Sequence, residues 1–251
     1  RNSDGSRLTI SAGVGVIAAV ICLVFFAYFL HHVVKSIQIN NFVEYTTDEI
    51  ISLINKKISE IKLYENIRNR PDKEIEKLLT ENKFSIKSEK HGYIQLVNEK
   101  GMAAFAKKAN IIVKFERIMG DYVNDKTDIM TVYYFEDNTL NEKDEITGGL
   151  LQFVSVGDER NSKEDYGFGI SKLVEIALRA ISPGINDPNT AIFCISKIGA
   201  VLKKISDEME KIYYYDENNS LRLVIENIYF GDLLYQSYFQ LRNYCTGDIS
   251  V

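Results

Sequence analysis

The sequence predicts an α+β chain: a C-terminal transmembrane helix of a multi-span bundle, followed by a soluble domain with a small β sandwich or barrel and a helical subdomain. Three observations predict it. No charged residue occurs over positions 8–30. Short apolar runs bounded by glycine and aspartate recur over 92–158, at strand length. From Tyr166 onward the apolar residues recur at helical spacing. The boundaries that follow are 1–35 for the span, 36–90 for an amphipathic helical linker, 91–158 for the β-rich subdomain and 159–251 for the helical one.

At about 1.5 Å per helical residue, positions 8–30 reach roughly 34 Å, enough to cross the hydrocarbon core of a bilayer. Val14, Ile17, Val20, Phe25 and Phe29 point around the whole cylinder, so the helix has no polar face for water. A secretory signal would be followed by a small-residue cleavage site, whereas the exit here reads His31-His32-Val33-Val34-Lys35. His31 and His32 read as interfacial anchors, with proton sensing the rival reading. The chain begins at Arg1, and further spans are expected before it.

Positions 36–66 carry Ile50, Ile51, Ile54, Ile58 and Ile61 at helical spacing, with lysine and glutamate between them. A helix leaving the membrane is expected there, then a break at Pro71-Asp72 and a short helix over 73–82. Strands are expected over 92–97, 111–115, 128–135 and 152–156, with an alanine-rich helix over 99–108 and a Gly120-Asp121 turn. The following helix runs from Tyr166, with Glu175 and Arg179 paired four apart on its outer side. Residues 182–187 break it, and a second helix runs from Pro188 to about Lys211. A hairpin built on Tyr213-Tyr214-Tyr215 and residues 221–224 precedes a last helix over 228–244.

Composition narrows the function classes. A net charge of −5 and the lack of a basic stripe argue against a nucleic-acid partner. Cys22, Cys194 and Cys245 are too few and too scattered for a disulfide framework, and suit a reducing compartment. No metal site is expected, because the three histidines have no cysteine at ligand spacing. No cofactor fingerprint and no catalytic constellation is present in the sequence. The Gly120-Asp121-Tyr122-Val123 turn has the look of a biotinyl-type hairpin, but Met130 is followed by Thr131 where such carriers place lysine.

The stretch from Asp165-Tyr166-Gly167-Phe168-Gly169 through Arg179-Ala180-Ile181-Ser182-Pro183-Gly184-Ile185-Asn186-Asp187-Pro188-Asn189-Thr190-Ala191 is the most distinctive in the chain. It resembles the signature of the bacterial membrane-protein family catalogued as domain of unknown function 2254. The His31-His32 exit, Gly92-Tyr93-Ile94-Gln95, Gly157-Asp158-Glu159-Arg160 and the 230–244 stretch are similar as well. One departure is Asn161, where the family commonly has threonine. The resemblance implies about four membrane helices ahead of a soluble C-terminal region, an inner-membrane location, and a cytoplasmic soluble part.

Asn186-Asp187-Pro188 supports two readings. In one, Asp187 caps a helix and Pro188 fills its first position, where no amide donor is lost. In the other, Arg179, Ser182, Asn186, Asp187 and Thr190 converge with Asp165 and Arg160 on a pocket for a small ion or ligand. At the level of function, the expectation is a non-enzymatic, homo-oligomeric protein of the lipid bilayer. Its soluble region regulates or gates ion or solute passage, the alternative being an envelope scaffold that docks cytoplasmic partners.

Overall fold

The computed structural model describes residues 3–36, 39–63, 67–68, 82–135, 142–161, 164–206 and 211–245. They fall into two compact units, Arg1–Tyr45 and Thr46–Val251. In the first, α1 (Ser3–Ser36) is a 34-residue helix. Among the described residues it is the one helix long and apolar enough to cross a membrane, over Gly13–Leu30. It stands at the N-terminal end of this chain, which corrects the expected C-terminal placement; that label belonged to an inferred bundle, and the described residues show one such helix. The side chains of His31 and His32 lie outside the description.

Helix α2 (Ile39–Leu63) begins in the first unit and ends in the second. Its inner stripe of Thr46, Thr47, Ile50 and Ile54 is buried, as the helical spacing of the isoleucines requires. The expected helix over 73–82 lies, but for Asn82, outside the described residues.

The β-rich part expected as a small sandwich or barrel consists of two sheets among the described residues. Strands β1 (Ile67–Arg68), β2 (Lys83–Lys87), β4 (Ile111–Phe115), β6 (Asp128–Tyr134), β8 (Lys211–Tyr215) and β9 (Leu221–Glu226) form one sheet, in the order β1-β8-β9-β4-β6-β2. Strands β3 (Gly92–Val97), β5 (Tyr122–Val123) and β7 (Val154–Gly157) form the other, with β3 in the middle. Among the described residues every pairing is antiparallel except β4 with β9, which sets Val113 opposite Leu223 and Phe115 opposite Ile225. A strand from beyond residue 158 therefore completes the sheet begun before it. Among the described residues the larger sheet does not close into a barrel, and β1 and β2 stand at its two ends.

Helix α3 (Glu99–Lys108) packs on β4 and β9, and α4 (Lys143–Leu151) lies beside it. Met102, Ala106, Ile146 and Leu150 meet Ile111, Val113 and Phe115 in the main core, which Ile94 and Val123 of the smaller sheet also enter. On the opposite face of the large sheet Ile112, Tyr133, Tyr213, Tyr215, Leu221 and Val224 form a second cluster. Burial on both faces explains why β4 reads as an almost unbroken apolar run.

Helices α5 (Tyr166–Ala180), α6 (Pro188–Ile205) and α7 (Phe230–Tyr244) pack on one another. Their seams are Leu173, Val174 and Ala177; Cys194, Ile198 and Val201; and Leu233, Ser237 and Leu241. Helix α6 ends at Ile205, short of the expected Lys211, because Lys211 already belongs to β8.

Candidate functional site

The site residues expected from sequence fall into two groups at opposite ends of α5. Asp165 is the N-cap of that helix and accepts a hydrogen bond from the Phe168 amide at 2.9 Å. Arg179 lies near its other end, a separation of roughly 20 Å at about 1.5 Å per residue. Asp165 does not fold back to Arg179, and the single pocket is corrected to two places.

At the first place the Asp165 side chain is 2% exposed, and Arg160 closes on it with Nε at 2.8 Å and Nη2 at 2.6 Å, both donating to Oδ2. The guanidinium also stacks over the Phe168 ring, 5.0 Å from its centroid, so cation and cap are held as one unit. Burial pushes the Asp165 carboxyl above its ordinary range, against the pull of the Phe168 amide and of Arg160. Gly120 completes the arrangement. Its φ of +86° puts it in the region that favours glycine, and a Cβ there would fall on Asp165 Oδ2 and within 2.6 Å of Arg160 Nη2. The turn carrying Gly120 is tied to β3 by the Gly120 amide, which donates to the Ile94 carbonyl at 3.0 Å. Gln95 of the same strand donates from Nε2 to the Glu159 carbonyl at 2.7 Å, next to Arg160. An ion pair buried at its Asp165 end thus joins the loop after β7 to the start of α5, and the Gly120 and Gln95 hydrogen bonds tie both to the small sheet.

A groove of about 320 Å³ opens close by, lined among others by Leu53, Lys57, Met119, Glu164, Tyr166 and Tyr214. Lys57 crosses it, donating to Asn227 Oδ1 at 2.6 Å and lying 6.0 Å above the Tyr166 ring. Tyr214 donates its hydroxyl to Glu99 at the rim. The volume suits a small molecule, and the groove offers both signs of charge.

At the second place the loop chemistry is that of a helix-to-helix turn. Asp187 caps α6, taking the Thr190 amide on Oδ1 at 3.1 Å and the Thr190 hydroxyl on Oδ2 at 2.6 Å, with Pro188 at the start of the helix. Those two bonds hold the Asp187 carboxyl below its ordinary value. Ser182 donates its hydroxyl to the Arg179 carbonyl at 2.7 Å, and the Asp187 amide donates back to Ala180 at 2.8 Å. Asn186 takes φ of +50°, which asparagine tolerates better than most residues. The carboxylate of Asp187 and the hydroxyls of Ser182 and Thr190 are spent on the turn, while the Arg179 and Asn186 side chains are exposed. Glu175 pairs with Lys172 at 3.0 Å in place of the expected Arg179.

Among the described residues no group of three or more His, Cys, Asp or Glu could hold a metal ion. Cys194 is buried in the α6 seam, where burial pushes its thiol up to about 11, far from a reactive thiolate. Sequence reasoning left Gly120, Phe168 and Gln95 out of the site. Glycine next to aspartate in a turn was the signal available for the first of them.

Residues 1–251 match the family described as "Predicted membrane protein (DUF2254)" over their whole length. The chain belongs to the DUF2254 family. This DUF2254 chain is 27% identical over 176 residues to "Uncharacterized protein MT1328" of Mycobacterium tuberculosis (strain CDC 1551 / Oshkosh), a match covering 69% of the chain and 32% of that relative. The same identity and coverage hold for "Uncharacterized protein Mb1321c" of Mycobacterium bovis. The match spans about a third of the length of these curated relatives. No solved structure is significantly similar to the chain.

Proposed function

We propose that this DUF2254 chain is the regulatory end of a multi-pass, homo-oligomeric assembly of the bacterial inner membrane. Its globular unit faces the cytoplasm and gates the passage of ions or solutes; it works by coupling and not by catalysis. The observation that carries this reading is α2, an unbroken helix that starts in the unit holding the span and ends in the globular unit. A helix is stiff along its axis, so a displacement at one end is delivered at the other. Within the globular unit Ile50 of α2 sits against Gly169 of α5, where an added Cβ would lie 2.6 Å from Ile50 Cγ1. Helix α5 in turn begins at the Arg160–Asp165 pair beside the groove, which gives a small ion or ligand a place to act on that helix. Arg179 and Asn186, exposed at the far end of α5, are the second such place.

The test is flux through proteoliposomes holding the intact protein. Flux that is altered by Gly169→Val, and abolished by deletion of residues 36–66, supports coupling through α2. Flux indifferent to both changes, or no flux at all, removes the gating reading. A second reading, docking of cytoplasmic partners, is favoured by α7, where Tyr235 and Phe239 stack at 4.8 Å with both rings exposed. A stoichiometric partner recovered from membranes, lost on Tyr235→Ser with Phe239→Ser and unaccompanied by flux, would favour docking.

A further inference from the structure

The first two turns of α2 carry Ile39, Phe42 and Tyr45, which are 42%, 54% and 60% exposed. On a helical projection Phe42 and Tyr45 share one flank, clear of the inward stripe that Val43, Thr46, Thr47 and Ile50 bury. Aromatic rings exposed so close to a membrane span favour the edge of the bilayer over water. The sequence puts that edge within reach. Lys35 is the first charged residue after Arg7, so it marks where the chain leaves hydrocarbon for headgroups. Ile39 follows four residues later, at most about 14 Å along a fully extended chain and roughly 6 Å along a helical one. The polar zone on each side of a bilayer is itself about 5–8 Å deep. The segment Ile39-Asn40-Asn41-Phe42-Val43-Glu44-Tyr45 also mixes aromatic rings with uncharged amides, the composition of a membrane-water boundary.

We infer that the start of α2 is an interfacial anchor, with the Phe42 and Tyr45 rings seated among lipid headgroups and the upper acyl chains. The occupant is a lipid surface and not a second protein. Glu44, Asp48 and Glu49 nearby make zwitterionic lipid the better match, because anionic headgroups would be repelled. The anchor fixes the depth of α2 against the bilayer whether or not the assembly conducts anything.

The chain contains no tryptophan, so a single introduced indole reports on its own surroundings. Phe42→Trp and Tyr45→Trp are made one at a time in the whole chain, reconstituted in phosphatidylcholine vesicles. Asp125→Trp, in the exposed turn between β5 and β6, supplies a water-exposed reference spectrum. The expected result at 42 and 45 is blue-shifted emission, quenched by phosphatidylcholine brominated near the head of its acyl chains. Emission matching the reference would overturn the anchor. Blue-shifted emission indifferent to brominated lipid would overturn it too, since protein would then be covering the flank. Both indoles are conservative replacements at exposed positions, so unchanged circular dichroism is expected. Flux measurements bear only on the gating reading, and lipid quenching bears only on this one.

Discussion

A carboxylate taken out of water is costly unless its lone pairs are met, and Asp165 meets them with two different kinds of donor. The Phe168 amide satisfies one oxygen and Arg160 the other. Arg160→Ala leaves a buried charge without its cation, and a loss of about 2–3 kcal/mol is expected. Asp165→Asn keeps an acceptor for the amide and frees a guanidinium that can turn to water, so it should cost less. Adding Arg160→Ala to Asp165→Asn should then cost little more, because the pair has already gone. Thermal unfolding of the detergent-solubilised chain measures all three. Asp187 makes a different prediction, in pH. Its folded carboxyl titrates below the ordinary value, so its contribution is present above the unfolded pKa of about 3.9. That contribution is lost as the pH falls through the lower, folded value. Asparagine keeps the capping acceptor but cannot ionise. Wild type should therefore melt above Asp187→Asn at pH 7, and the gap should close as the solution is acidified.

At the scale of elements, packing decides what propensity leaves open. Helix α4 contains Gly148-Gly149, which read as the lead-in to a strand, yet the segment is helical. Ile146 and Leu150, four apart, enter the core, and a Cβ at Gly149 would collide with the Phe105 ring, so the glycine admits that ring. A tertiary contact overrode a local cost of about 1 kcal/mol, which local sequence cannot announce. Strand β2 is different: Lys-Phe-Ser-Ile-Lys alternates strictly, and its burial alternates with it, so this strand is legible from local pattern alone. The helices on either side of the Ser182 to Asp187 break were legible because the cap, the proline and the asparagine each act locally. The Arg160–Asp165 pair was half legible: both residues stood out, but their grouping with Gly120 depends on a turn forty residues upstream. Gly169 is an equally non-local feature, and it yields a test. Gly169→Val drives a side chain into Ile50 and should cost about 1–3 kcal/mol by overpacking. Ile50→Ala alone opens a cavity at a buried position and should cost about 2–5 kcal/mol. In the double variant the valine occupies space that Ile50 vacates, so the two losses should sum to less than their separate values. Strict additivity in the melting curves would show that α2 and α5 do not pack at that point.

For the whole molecule, the parallel pairing of β4 with β9 matters more than any single helix. Local pattern divides the chain into a β-rich subdomain over 91–158 and a helical one over 159–251. Local pattern identified the Tyr213 hairpin correctly but carried no information on where it would dock, since register between distant strands is set by the core and not by sequence spacing. In the fold, β9 lies between β8 and β4, and Leu223 and Ile225 belong to the same buried cluster as Val113, Phe115 and Met130. The helical layer α5–α6 is thus an excursion between β7 and β8, and residues 211–226 return to finish a sheet begun before residue 116. Ending the chain after Ser206 would remove β8 and β9 together and uncover the β4 edge, whose amides and carbonyls would then face water or another chain. The expected outcome is loss of cooperative unfolding and of near-ultraviolet circular dichroism, with rapid proteolysis inside 91–158. A truncated chain that kept its protease resistance over 91–158 would show that the β-rich piece stands alone, and that the β4–β9 seam contributes little to holding the globular unit together.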